Sequence, residues 1–275
     1  MTKARGLVTH NARIVKKVSM RGAWELARDF LLRPRLALDR MLAAPDALLR
    51  EALWVYAAYL VTAVLFYALK PAGFPPPPPD SPEVAVAGGL LFWAKVHAWA
   101  PLLTLIWIAM TGWFGTMLQG GRLALRLGAS VLCGAIPLLL ILVYTNTGMP
   151  RWAFGLAWAG LAAGMVPGFR RVSRGTWLGL ASVLLAVNAA SLALLPLFAA
   201  AVLSRSAVFY HSIEIVMLFW TLGLAAYGTS RVMGLQAARA FCAVFLSVAC
   251  QLLFVFSMRL LGLLPKEILK ALLAA

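Results

Sequence analysis

Seven apolar runs constrain this chain more than any other feature: residues 52–69, 92–117, 127–145, 152–168, 176–203, 210–230 and 237–261. A hydrocarbon core of about 30 Å takes roughly 20 apolar residues in helical form. No water is available there, so every backbone N–H and C=O must be satisfied internally, by helices or by a closed barrel. The runs are continuous and do not alternate with polar residues, which selects helices. The expected fold is all-α: a polytopic membrane bundle of about seven transmembrane helices over residues 51–275, preceded by a basic segment, residues 1–50, with amphipathic interfacial helices. A soluble domain is excluded by composition, since 63% of the chain is hydrophobic, against roughly half in ordinary globular domains.

The net charge of +16 invites a nucleic-acid reading, but its distribution points elsewhere. Eleven of the 25 lysines and arginines fall in the first 50 residues, and seven more sit in the turns at 118–126, 169–175 and 230–239. The other seven are Lys70, Lys95, Arg151, Arg205, Arg259, Lys266 and Lys270. This alternation follows the positive-inside rule and predicts a cytoplasmic N-terminus and an external C-terminus. Expected partners are therefore membrane lipids, with the basic N-terminus on an anionic inner leaflet, and other membrane proteins; nucleic acid is not expected. The expected location is a bacterial cytoplasmic membrane. No apolar leader precedes the first run, so that run is expected to act as an uncleaved anchor.

Within the first 50 residues, 1–20 read as a basic tail. Residues 22–32 read as a helix with Trp24, Ala27, Phe30 and Leu31 on one side, suited to a membrane interface. LALDRML is a second short helix. After the first run comes FPPPPPDSPE, a stiff polyproline spacer followed by a helix start at Ser81-Pro82-Glu83. Proline is expected to interrupt the third run at Pro137 and to kink the fifth at Pro196. The fourth run is short and carries Gly160, Gly164 and Gly168 at four-residue spacing, a flat face on which another helix can pack closely. The tail PKEILKALLAA reads as a short interfacial helix.

Polar groups inside spans are costly and carry functional hypotheses. His211 and Glu214, three residues apart, share a helix face as either an outer-interface pair or a proton or ligand site. Asn188 and Gln251 lie deeper and are expected to bond across helices. Lys95 and His97 are expected to snorkel outward. Cys133, Cys242 and Cys250 read as buried thiols, with neither a disulfide framework nor zinc-ligand spacing. No HExxH, GxSxG, phosphate-binding loop or dinucleotide fingerprint occurs, so no catalytic residue, metal or cofactor is expected.

The segment HSIEIVMLFWTLGLAAYGTSRVMGLQAARAFCAVFL resembles the final hairpin of the Yip family, the Ypt/Rab-interacting polytopic membrane proteins, in their bacterial branch. Trp220 stands near the middle of its first helix, and its turn has the form small-x-R-x-x-G-L-x-x-x-R-A. GGRLALRLGASVLCGAIPLLLIL is similar to that family's third span, and RPRLALDRMLAAPDALLREALWVYAAYL to its entry segment. The family has five spans, so the resemblance implies an inserted hairpin at 152–203. The lack of reactive groups, beside the Gly160, Gly164 and Gly168 face and the amphipathic N-terminus, leads to the expectation of a non-enzymatic membrane protein: a scaffold or subunit of a larger assembly. A transporter or lipid-handling permease subunit is the alternative, with the interrupted spans and Asn188 lining a cavity.

Overall fold

A computed structural model describes residues 20–71, 73–76 and 89–274; the basic tail, most of the proline spacer and the Ser81 helix start lie outside them. Every element is helical. In chain order they are α1 (Met20–Leu32), α2 (Pro34–Ala43), α3 (Pro45–Leu69), α4 (Leu90–His97), α5 (Ala100–Leu118), α6 (Leu123–Thr147), α7 (Arg151–Arg170), α8 (Arg174–Ala186), α9 (Ala189–Leu203), α10 (Ala207–Met233), α11 (Ala237–Leu260) and α12 (Lys266–Ala274). Helices α4–α5 and α8–α9 act as single interrupted spans, so seven helical segments are long and apolar enough to cross a membrane: 48–69, 90–118, 123–147, 151–170, 174–203, 207–233 and 237–260. The chain is a multi-pass helical membrane protein.

The interruptions do not fall where the sequence suggests. Pro137 and Pro196 both lie inside continuous helices, α6 and α9. The second span breaks at Ala98–Trp99, just ahead of Pro101. That proline has no N–H to offer the His97 carbonyl, and its ring crowds it. The fifth span breaks at Val187–Asn188, with no proline nearby. There the Asn188 N–H turns to the Leu185 carbonyl, and the Asn188 side chain donates from Nδ2 to the Leu184 and Leu185 carbonyls at 3.3 and 3.0 Å. An amide side chain competing for its own backbone in this way favours a turn over a straight helix. Asn188 therefore bonds within its own span, contrary to the bridge to another helix that the sequence suggests.

Lipid tails are as apolar as leucine, so association of spans rests on close packing and a few polar contacts. The glycines that bring helices together are Gly112, Gly115, Gly179 and Gly228. A Cβ on Gly228 would lie 2.3 Å from Val183 Cγ1, and one on Gly112 would lie 2.6 Å from the Trp177 ring. Gly160 and Gly164, expected to form a packing face, have nothing within 4 Å of a Cβ position; only Gly168 of that set meets a neighbour, the Trp113 ring. Side-chain hydrogen bonds that cross between spans include Tyr56 Oη with Thr104 Oγ1 at 2.9 Å, Thr111 Oγ1 with Ser247 Oγ at 2.9 Å, and Ser191 Oγ donating to Met217 Sδ at 3.4 Å.

The turns at 118–122, 169–175 and 230–236 occupy one end of the bundle. Gly234 ends α10 with φ 65°, a conformation that costs glycine little. Leu235 then plugs inward at 7% exposure. Arg239, at the start of α11, donates to the carbonyls of Leu118, Gly120 and Gly121, capping α5. Arg231 pairs with Asp39, which ties α2 to the same end. The apolar face of α1 is used inside the chain: Leu26 and Phe30 are fully buried with Leu38, Met41 and Ala52, while Trp24 remains 70% exposed. At the opposite end α12 packs on α4, with Ala271 fully buried against Trp93 and Val96.

Candidate functional site: a central polar cavity

The two interruptions face one space. A cavity of about 370 Å³, open on one side, lies between α3, α4, α5, α9, α10 and α11, with Leu272 of α12 also lining it. His97 and Ala100 flank the first interruption and Asn188 marks the second; all three line it. Three spans add polar groups to the wall: Tyr56 and Tyr59 from α3, Thr221 from α10 and Gln251 from α11. Thr104, held by its bond to Tyr56, adds a hydroxyl from α5. The Gln251 side chain makes no hydrogen bond among the described residues, and the residue lines the cavity. Trp107 Nε1, on the same wall, is buried without an acceptor. A buried donor left unpaired is costly.

A smaller pocket of about 50 Å³ adjoins it, sharing Tyr59, Tyr67, Ser191 and Met217, and reaches Tyr210 and Glu214. At this end His211 Nδ1 lies 2.7 Å from Glu214 Oε2 in the first turns of α10, with both side chains substantially exposed. Lys70, just beyond the first span, sets its ammonium over the rings of Tyr67 and Tyr210, 4.9 and 5.3 Å from their centroids. Partial burial lowers the Lys70 pKa, and the nearby Glu214 charge works against that shift. Tyr67 in turn stacks on Trp93 at 4.7 Å. The end of the bundle opposite the basic turns thus carries a charged, aromatic rim, and the adjoining cavity has a mainly apolar wall with a few neutral hydrogen-bonding groups.

The sequence-selected residues divide clearly. Asn188 and Gln251 meet in the cavity, and Glu214 reaches its rim pocket, while His211 pairs beside it. Gly160, Gly164 and Gly168 are elsewhere, along α7. His97 does not snorkel outward: it is 8% exposed, and its Nδ1 lies 3.0 Å from the Trp93 carbonyl. Lys95, one residue from the buried Val96, is exposed as expected. Tyr56, Thr104, Trp107 and Thr221 went unmarked in the sequence. A signal did exist on α3, where Tyr56, Tyr59, Ala63 and Tyr67 recur at helical spacing and so share a face. Among the described residues, no three His, Cys, Asp or Glu side chains converge as metal ligands.

Comparison with protein families, with curated proteins and with solved structures finds no match to this chain. The fold defines its class without such help: a multi-pass helical membrane protein with two interrupted spans that border one cavity.

Proposed function

We propose that this chain is a non-enzymatic transporter or lipid-handling permease subunit of a bacterial cytoplasmic membrane. Its N-terminus and basic turns face the cytoplasm, and its cavity rim faces outward. One observation carries the reading: both interrupted spans border the same cavity, whose mainly apolar wall holds a few hydrogen-bonding groups. Interrupted membrane helices expose backbone groups that continuous helices keep paired, and they recur at substrate sites near the membrane midplane. Asn188 lies at the centre of the 174–203 span, which suits that depth. The neutral lining fits a solute with hydrogen-bonding groups and apolar surface; Lys70 and Glu214 at the rim supply charge at the point of entry. Cysteine accessibility tests this. In a background lacking Cys133, Cys242 and Cys250, Thr221→Cys and Gln251→Cys are treated with a membrane-impermeant thiol reagent in right-side-out and inverted vesicles. A permease admits label from both sides. Labelling from one side only, or from neither, would overturn the reading.

A scaffold role is the second reading, and α6 and α7 favour it. In these two spans only Ser130 and Phe154 are buried, which leaves a broad apolar flank for another membrane protein. Kinship with the Yip family belongs with this reading. It rests on the 230–239 turn, where Gly234 ends α10 and Arg239 caps α5. Copurification from native membranes under mild detergent tests it, and a solitary chain with no stoichiometric partner would count against it.

A further inference from the structure

A second and larger cavity, about 730 Å³, lies between α5, α6, α7 and α11, apart from the central one. The way α7 is held explains the space. Near one end, Gly168 carries the Trp113 ring where a side chain would otherwise sit. Near the other, the fully buried Phe154 stacks on Tyr144 at 4.4 Å. Between these contacts Trp158 meets the Phe254 ring of α11 edge-on at 6.1 Å, while Gly160 and Gly164 meet nothing and border the space. The walls are aliphatic, aromatic and sulfur-bearing, including Met110, Phe114, Pro137, Cys250 and Phe254. Polar groups are few; among them is Trp158, whose Nε1 is buried and has no acceptor.

Such a space is too apolar to hold water, and leaving it empty forfeits dispersion contacts along its whole wall. In a bilayer the filling at hand is an acyl chain. We propose that this cavity holds one acyl chain of an anionic phospholipid, with the headgroup at the arginine-bearing turns. Length supports this: on α7 the lining runs from Ala157 to Phe169, ~18 Å at 1.5 Å per residue, against ~15 Å for one leaflet of the hydrocarbon core. Charge supports it as well. The Phe169 end adjoins Arg170 and Arg171, and α6 begins beside Arg122 and Arg126. None of these four pairs with a carboxylate among the described residues. An apolar shaft with an unneutralised cationic end matches a lipid with a negative headgroup and does not match an uncharged apolar helix.

The full chain is reconstituted in nanodiscs containing equal phosphatidylglycerol and phosphatidylcholine, re-extracted, washed, and analysed by native mass spectrometry. One retained phosphatidylglycerol per chain is the expected result. Gly160→Leu with Gly164→Leu fills the space and should lower retention at least tenfold with an unchanged melting temperature. Arg170→Gln with Arg171→Gln keeps the shaft and should weaken the preference for phosphatidylglycerol about fivefold per arginine removed. Trp158→Phe gives a reading free of any folding defect in the leucine pair: quenching of tryptophan fluorescence by phosphatidylglycerol with brominated chains should fall. The proposal is overturned by unchanged retention in a folded leucine pair, by equal retention of both lipids, by equal quenching in Trp158→Phe, or by a dimer that the leucine pair dissociates without altering retention.

Discussion

Gly228→Ala adds one methyl group where α10 meets α8. Its carbon would lie 2.3 Å from Val183 Cγ1, 3.2 Å from Cγ2 and 3.3 Å from Cβ. Ordinary carbon contacts lie at about 3.5–4.0 Å, so the shortest must open by more than an ångström. Val183 cannot yield by rotation, because it is fully buried and a β-branched side chain in a helix has essentially one rotamer. The helices must therefore separate. Overpacking of this kind costs about 1–3 kcal/mol, and alanine's better helix propensity returns up to about 1 kcal/mol. With the full return, the net expectation is a loss of up to about 2 kcal/mol. Thermal unfolding in detergent should show a melting temperature lower by a few degrees, at about 2–4 °C per kcal/mol for a chain of this size. Val183→Ala removes both opposing methyl groups, so the double variant should be more stable than the sum of the single effects, with a coupling of at least about 0.5 kcal/mol. Gly164→Ala is the control: nothing lies within 4 Å of its Cβ, and its melting temperature should hold or rise. A Gly228→Ala protein as stable as wild type, or additivity with Val183→Ala, would refute the account of how α8 and α10 approach.

Three further outcomes follow from the same structure. Tyr56→Phe removes the bond to Thr104 and should cost about 0.6–1.7 kcal/mol, the range for single interhelical bonds in membranes; Thr104→Val should cost no more when added to it, as a double-mutant cycle of unfolding would show. Arg239→Gln breaks the clamp on Leu118, Gly120 and Gly121, and at about 1.5–3 kcal/mol for a hydrogen bond to a charged group it should increase amide exchange in the last turn of α5 before other spans. Lys70 gives a pH dependence. Burial holds its folded pKa below the ordinary 10.5, so between the two values the unfolded chain binds more protons and stability rises with pH. Melting temperature should climb as pH approaches 10.5, and Lys70→Met should flatten that climb.

Much of the architecture was legible in composition and run length. Seven apolar runs become seven spans with boundaries shifted by a few residues, because a lipid environment leaves an apolar segment of that length one regular way to pair its backbone. The shared end of the three basic turns also follows from the alternation of spans. The cavity was only half legible. Asn188 and Gln251 stood out as polar residues in apolar runs, but tyrosine, threonine and tryptophan are common in membrane helices, and nothing marked Tyr56, Thr104 or Trp107 until packing brought them together. Prolines misled in the opposite direction. Pro137 and Pro196 remain within continuous helices, whereas an asparagine turns the fifth span.

By itself, then, the sequence determined class, span number and the clustering of positive charge, all of which depend on the free energy of single segments in lipid. Tertiary structure alone decided which glycines bring helices together and which leave a gap. It also decided where the spans break relative to one another, and thus that both interruptions border one cavity. Those outcomes depend on contacts between residues far apart in the chain, such as Gly228 with Val183 and Gly168 with Trp113. A glycine has the same intrinsic preferences at 164 as at 228; only the helix opposite makes one a close contact and the other the wall of an open space.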